Sequence, residues 1–379
     1  MSLLRTRPVA TPAMIATFDD DATIAATLAF ESALAAAQAA AGVIPVEAAA
    51  EIAAAVSTLH IDPATLAQRA ALAGTLAIPL VATLRAQVDG EAAAALHRGA
   101  TSQDVADSAL MMQVRRAGTL LLADVARVTT ALAPLARAHA TTPAIGRTLL
   151  QDAQPIGFGL RLAQWHAGIA AAAARVSREV AAKAALQWGG AAGNRPDQAG
   201  QADAVAARLA ATLGLAEAPP WHARREGLAG IAAAVGILIG ALGKMARDVA
   251  LLAQNGIGEA REPAVAGRGG SSAMAHKRNP TGCQIALSAT TRAPGLVAGI
   301  LAALPAEEER GLGGWQAEGP MLVDLFLLAS GAAEAMAGVA EGLEIDGEAI
   351  ARNLAAAGQG SDIGDSVTLV EALLDMGKD

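Results

Sequence analysis

GLAGIAAAVGILIGALGKMARDVALL, residues 227–252, is the stretch that decides the fold class. Leu228, Ile231, Val235, Leu238, Leu242, Met245, Val249 and Leu252 step by 3, 4, 3, 4, 3, 4 and 3 residues, an unbroken a/d seam. Side chains at that spacing share one helix face, so the pattern predicts a long straight helix packed at a shallow angle. Ile237, Ile239 and many alanines lie off the seam, which makes the helix apolar nearly all round. Such a helix is buried on several sides, as in the centre of a multi-helix or multi-subunit bundle. Its charge-free part, Gly227 to Gly243, has 17 residues. That is below the roughly 18 to 20 strongly apolar residues of a membrane span, so a buried soluble helix and no membrane partner are expected.

The rest of the chain agrees. Of 379 residues, 53% are hydrophobic and 17% charged, far too apolar for disorder. Four Trp, four Phe and no Tyr make a poor β-sandwich, whereas the Ala and Leu that supply the apolar mass favour helix, and an all-α class follows. A net charge of −8 leaves no phosphate-backbone footprint, and the scarcity of aromatic platforms argues against single-stranded nucleic acid. The one cysteine, Cys283, cannot form an internal disulfide, so a cytoplasmic compartment is expected. No Cys/His cluster has zinc spacing, and MSLLRTRPVA lacks the apolar core of a signal peptide.

A second long helix is predicted from about Asp104 to Leu135, with Thr101-x-x-Asp104 as a capping box and Pro134 at its fraying end. A third opens near Pro155 and runs to about Gln187, before the breaker cluster GGAAGNRPDQAG. Shorter helices fill the first hundred residues. Pro305 and Gly311, Gly313 and Gly314 interrupt helix late in the chain, and a short helical tail follows from about Asp346. Domains are expected at residues 1–100, 101–343 and 344–379.

Polar residues concentrate in two segments. HRGATSQD, His97 to Asp104, lies at a helix start, where it reads either as an ordinary N-cap or as an anion site on free backbone donors. GRGGSSAMAHKRNP, Gly267 to Pro280, combines flexible glycines with Lys277, Arg278 and Asn279, and reads as a surface loop or an anion-binding loop.

The second segment resembles the GSSxMPxKxN signature of the fumarase/aspartase superfamily, HRGATSQDVADS resembles its TSxD helix start, and IGRTLLQDAQPIGFG (Ile145 to Gly159) matches a third motif. Three motifs in the expected order make a joint signal. WGGAAGN, PWHARRE, ALGKMARDV and ERGLGGWQAE narrow the resemblance to the bacterial 3-carboxy-cis,cis-muconate cycloisomerase family. That resemblance implies a homotetramer with a central helical bundle, active sites shared between subunits, a small tricarboxylate substrate, no cofactor, and lactonisation in protocatechuate (β-ketoadipate) degradation. Two departures stand out: Met274-Ala275 replaces the family's Met-Pro, and the C-terminal helical domain is expected to be shortened.

Lyases of the superfamily carry His in GRTHxQ, where this chain has Leu149. A lyase expelling an amine or hydroxide benefits from a general acid. In a cycloisomerase the attacking or departing group is the substrate's own carboxylate, whose conjugate acid has a pKa of about 4, so the His is dispensable. The resemblance also implies Ser271 as the proton carrier at the carbon next to a carboxylate, with cations stabilising the enolate-like charge. By the same resemblance Lys277 and Asn279 map onto substrate-carboxylate ligands, and Arg310 is expected to be a further catalytic cation. Thr101, Ser102 and Gln103 are expected to bind another carboxylate, with Thr148 and Gln151 beside the missing His. Ser272, Met274, His97 and His276 are expected to line the site. His222 is read as structural or as a subunit contact. Rival readings are an adenylosuccinate- or argininosuccinate-type lyase and a catalytically silent helical scaffold.

Overall fold

The computed structural model describes residues 2–270, Met274 and residues 277–376. Five long helices form its body: Ser102–Ala138, Phe158–Lys183, Glu226–Leu252, Thr281–Ala302 and Gly314–Glu341. The Glu226–Leu252 helix packs against three of the others, and Ser102–Ala138 packs against Phe158–Lys183 and Gly314–Glu341. Every seam residue from Leu228 to Leu252 is buried, which accounts for the 3-4 alternation. On the opposite side Ala233, Gly236, Ile237, Gly240 and Lys244 are not buried, and Ile237 is 49% exposed. Within one chain the helix therefore buries its seam and leaves a partly apolar stripe open.

That helix has 27 residues, because the apolar run continues through Lys244, Arg247 and Asp248 to Leu252. Length therefore does not exclude a membrane span, contrary to the count of Gly227–Gly243 alone. By length and composition, five helices among the described residues could cross a membrane. Glu226–Leu252 is the most apolar, and 61% of its span-length window is buried inside the protein.

Helix starts follow cap chemistry. Asp19, Asp62 and Asp346 accept from the backbone N–H three residues on, at 2.9 Å in each case, which satisfies donors the first turn leaves free. Pro134 does not end its helix, which continues to Ala138. The proline is exposed, so the carbonyl four residues back can turn to water, while buried Ala136 keeps the last turn docked. A second hydrophobic cluster, Leu28 to Leu96, holds the short N-terminal helices together.

The third predicted helix begins later, at Phe158, because residues 143–157 form a β-hairpin. Pro143–Thr148 pairs antiparallel with Gln151–Gly157. Leu149 and Leu150 make its two-residue turn with φ of 52° and 63°, the left-handed geometry such turns require. Both leucines are exposed, at 96% and 75%. Arg147 anchors the hairpin by two hydrogen bonds of 3.0 and 2.6 Å to the buried Glu259. An irregularity in pairing lies between Ile145 and Arg147.

Candidate active site

The first polar segment nucleates a buried network. Asp104 accepts from the backbone N–H of Thr101 at 3.0 Å, reciprocating the N-cap, and from those of Gly189 (3.0 Å) and Gly190 (2.8 Å). His222 Nε2 lies 2.7 Å from the same carboxylate. Burial pushes the Asp104 carboxyl above its ordinary range, against the opposing pull of His222 and the Gly190 and Thr101 amides. Next along the helix, Asp107 takes both Nη groups of Arg225 at 2.7 and 3.0 Å, and Arg225 Nε donates to Glu318 at 2.8 Å. The Arg225 guanidinium also covers the Trp221 ring at 4.6 Å. WGGAAGN, PWHARRE and ERGLGGWQAE are thus knitted to the start of the Ser102–Ala138 helix.

Within this network the expected ligands separate. The Thr101 hydroxyl accepts from Arg310 Nη1, so these two meet. Ser102 is half-buried in the first turn. Gln103 is fully buried and donates to Asp107 (3.2 Å) and to the His222 carbonyl (3.0 Å), so its amide N–H groups serve the protein interior. His222 is buried against Asp104, in keeping with a structural role. His97 is half-buried, with Nδ1 at 2.7 Å from the buried Glu31.

The second polar segment borders a cleft of about 860 Å³. Its walls carry Arg261, Arg268, Lys277 and Arg278, together with Asn279 and Met274. The carboxylate beside them, Glu262, accepts from the N–H of Gly282 (3.0 Å) and Cys283 (2.6 Å) in the first turn of Thr281–Ala302. Glu262 lines the cleft as well and lies 3.8 Å from Arg268, so one carboxylate faces four cations there, in a chain of net charge −8. Ser271, Ser272 and His276 lie outside the described residues.

Thr148 and Gln151 are exposed beside the hairpin turn. Thr148 lines a different cleft, of about 880 Å³, with Arg147, Arg161, Trp165 and Lys244. A third, smaller cleft of about 170 Å³ is lined by His222, Arg225, Gly311, Leu312 and Trp315 and adjoins Arg310. In one chain, the loop motif and the hairpin motif therefore face two different clefts, and no residue of the 97–104 segment lines any of the three. Sequence reasoning missed Arg261, Arg268 and Glu31, and read Asp104 only as a cap. Arg261 sits outside the quoted motifs, Arg268 lies inside the glycine-rich loop but was not singled out, and Glu31 is brought to His97 by tertiary packing.

A bundle of long helices with polar motifs at helix starts and in one cationic loop defines a helical lyase architecture. A family model described as "Lyase" matches residues 6–295, and the chain belongs to this family, the fumarase/aspartase superfamily. The chain is 46% identical over 345 residues to 3-carboxy-cis,cis-muconate cycloisomerase of Pseudomonas aeruginosa, covering 90% of this chain and 75% of that one. It is 46% identical over 346 residues to the enzyme of the same name from Bradyrhizobium diazoefficiens, covering 90% and 77%. The crystal structure of 3-carboxy-cis,cis-muconate lactonizing enzyme from Pseudomonas putida superposes with a TM-score of 0.90 at 33% identity, covering 100% of this chain and 99% of that one.

Proposed function

We propose that the protein is a cycloisomerase that interconverts 3-carboxy-cis,cis-muconate and a carboxymuconolactone. The observation that carries this reading is the cationic cleft of Arg261, Arg268, Lys277, Arg278 and Asn279, which suits a substrate with three carboxylates. One substrate carboxylate oxygen adds to the conjugated double bond, and a proton is delivered to the carbon next to another carboxylate. Fixed cations and N–H donors stabilise the enolate-like charge that builds there. Ser271 is assigned the proton by resemblance, with Lys277 and Arg310 as catalytic cations. No leaving amine or hydroxide needs protonation, so Leu149 at the hairpin turn is compatible with the reaction. The chemistry calls for no metal or cofactor.

The working unit is assigned as a homotetramer with shared sites in the cytoplasm, free of membrane and nucleic acid. The exposed Ile237 stripe, the bare Leu149-Leu150 turn and the separation of the loop and hairpin motifs into two clefts support the shared-site reading. The domain division at residues 100 and 343 is kept on the same footing, supported by the separate Leu28–Leu96 cluster.

Purified protein given 3-carboxy-cis,cis-muconate is expected to remove the conjugated-diene absorbance. No loss with this substrate, combined with fumarate release from adenylosuccinate or argininosuccinate, overturns the assignment in favour of the lyase. Inertness toward all three overturns it in favour of a scaffold. Light scattering is expected to give about four times the 37.7 kDa chain mass, and a monomer mass removes the shared-site tetramer.

A further inference from the structure

Arg278 stands between Lys277 and Asn279 in the chain and is held from outside their motif. Its two Nη groups meet the Glu344 carboxylate at 3.2 and 2.9 Å, a two-pronged ion pair, and Nη2 also donates to the Glu262 carbonyl at 2.7 Å. Glu344 lies 66 residues further on, in the two-residue strand Glu344–Ile345 that pairs with Ala260–Arg261. The same carboxylate takes Arg261 Nε at 3.1 Å and the Ala264 N–H at 3.3 Å. Glu344 thus collects donors from both stems of the 261–282 segment. The segment is closed further by the Asn279 N–H donating to the Gly269 carbonyl at 2.8 Å and by Glu262 on the amides of Gly282 and Cys283.

An exposed ion pair ordinarily contributes little to stability, and these side chains are 44% and 39% exposed. Fork-to-fork pairing of guanidinium and carboxylate fixes geometry more than it adds energy. The two groups shift in keeping with the pairing: the hydrogen bond from Arg278 holds the Glu344 carboxyl below its ordinary range, and Glu344 raises the guanidinium. Glu344 is absent from the cleft wall, whereas Lys277, Arg278 and Asn279 all line it.

We propose that Glu344 is a positioning residue for the reaction: by gripping Arg278 it sets the backbone from which Lys277 and Asn279 reach a substrate carboxylate. This rests on the proposed cycloisomerase reading for the substrate, while the grip itself can be tested without it. The residue sits beyond the three superfamily motifs, in the strand that connects the bundle to the C-terminal helices, and couples that connection to the cationic cleft.

The experiment is a set of double-mutant cycles on the full-length protein, reading kcat and KM for 3-carboxy-cis,cis-muconate. Glu344→Gln is expected to lower kcat/KM about tenfold, with the thermal midpoint moved by no more than about 3 °C. Adding Glu344→Gln to Arg278→Met or to Lys277→Met is expected to produce little further loss, because both act along one line. A Glu344→Gln loss that is the same size in all backgrounds assigns Glu344 a separate structural role and overturns the proposal, as does an unchanged kcat/KM. Amide exchange supplies the readout that needs no turnover. The Asn279 N–H is expected to exchange several-fold faster in Glu344→Gln than in the parent protein, and equal rates overturn the grip. If the parent protein itself leaves muconate unchanged, the substrate assignment fails and the exchange result still decides the grip.

Discussion

His97 and Glu31 meet at 2.7 Å, the imidazole Nδ1 against a carboxylate that is wholly shielded from solvent. His97 holds a backbone φ of 63°, a conformation costly for a side chain with a Cβ. The carboxylate's other oxygen, Oε2, is buried and lacks a hydrogen-bond partner among the described residues. A His so held directs its second nitrogen away from the acid.

The imidazole is accordingly expected to titrate above its ordinary 6.5. Burial alone lowers the value, but the Glu31 hydrogen bond and charge, with Asp104 adding its field, outweigh burial and Arg85. Because the folded value is raised, the pair's contribution to stability is complete below the unfolded value of about 6.5 and is lost as pH rises through the folded one. Imidazole resonances followed by NMR are expected to show a midpoint above 6.5 in the parent protein and a lower one in Glu31→Gln. Identical midpoints in the two proteins sink this account.

Asp104 gathers four donors, the Thr101 amide of its own cap and, from two segments distant in sequence, the Gly189 and Gly190 amides and His222. Asp104→Ala leaves the Gly189 and Gly190 amides and His222 unpaired in the interior, and is expected to cost about 3 kcal/mol in urea unfolding. Turnover is expected to fall too, since the Thr101 turn that meets Arg310 loses its anchor. A destabilisation below about 1 kcal/mol shows that the hub is dispensable.

The parts of the fold that repeat locally were legible in the chain. The Leu228 to Leu252 seam and the Thr101 and Asp346 starts depend on residues three or four apart, so period and cap chemistry reveal them. The hairpin was hidden because its turn is Leu149-Leu150, without the Gly or Asn that normally marks left-handed turn positions, and because its strands lack clean alternation. The cationic Lys277 and Asn279 were visible in their motif. Their surroundings were not: Arg261 and Glu344 meet through pairing of two-residue strands, folding of the loop brings Arg268 beside Glu262, and Glu31 reaches His97 across 66 residues. Such contacts are set by tertiary packing, which no local pattern encodes.

Ser271→Ala is expected to reduce turnover of 3-carboxy-cis,cis-muconate by roughly 10² to 10⁴, the usual scale of a lost proton-transfer group. Helical signal and oligomer mass are expected to be unchanged. Lys277→Met is expected to cost on the order of 10²-fold, through lost stabilisation of the developing charge. Near-normal turnover of either variant removes that residue from the mechanism.

The last expectation returns to the central helix. Gly243 sits on its buried face, and a Cβ built there collides with the Thr290 side chain of the Thr281–Ala302 helix. Thr290 has little freedom to yield, because its hydroxyl donates to the Ala286 carbonyl at 2.8 Å and lies 3.4 Å from the Ile239 carbonyl. Ala is the better helix former by about 1 kcal/mol, so a solvent-facing Gly→Ala change would stabilise. Here overpacking opposes that gain, and Gly243→Ala is expected to cost about 1 to 3 kcal/mol in denaturant unfolding. Thr290→Ala removes the obstructing atoms and is expected to restore most of the loss when combined with Gly243→Ala, giving a coupling well above additivity. Additive behaviour would show that the two helices can separate at this point without cost, and would contradict the close approach on which the packed seam depends.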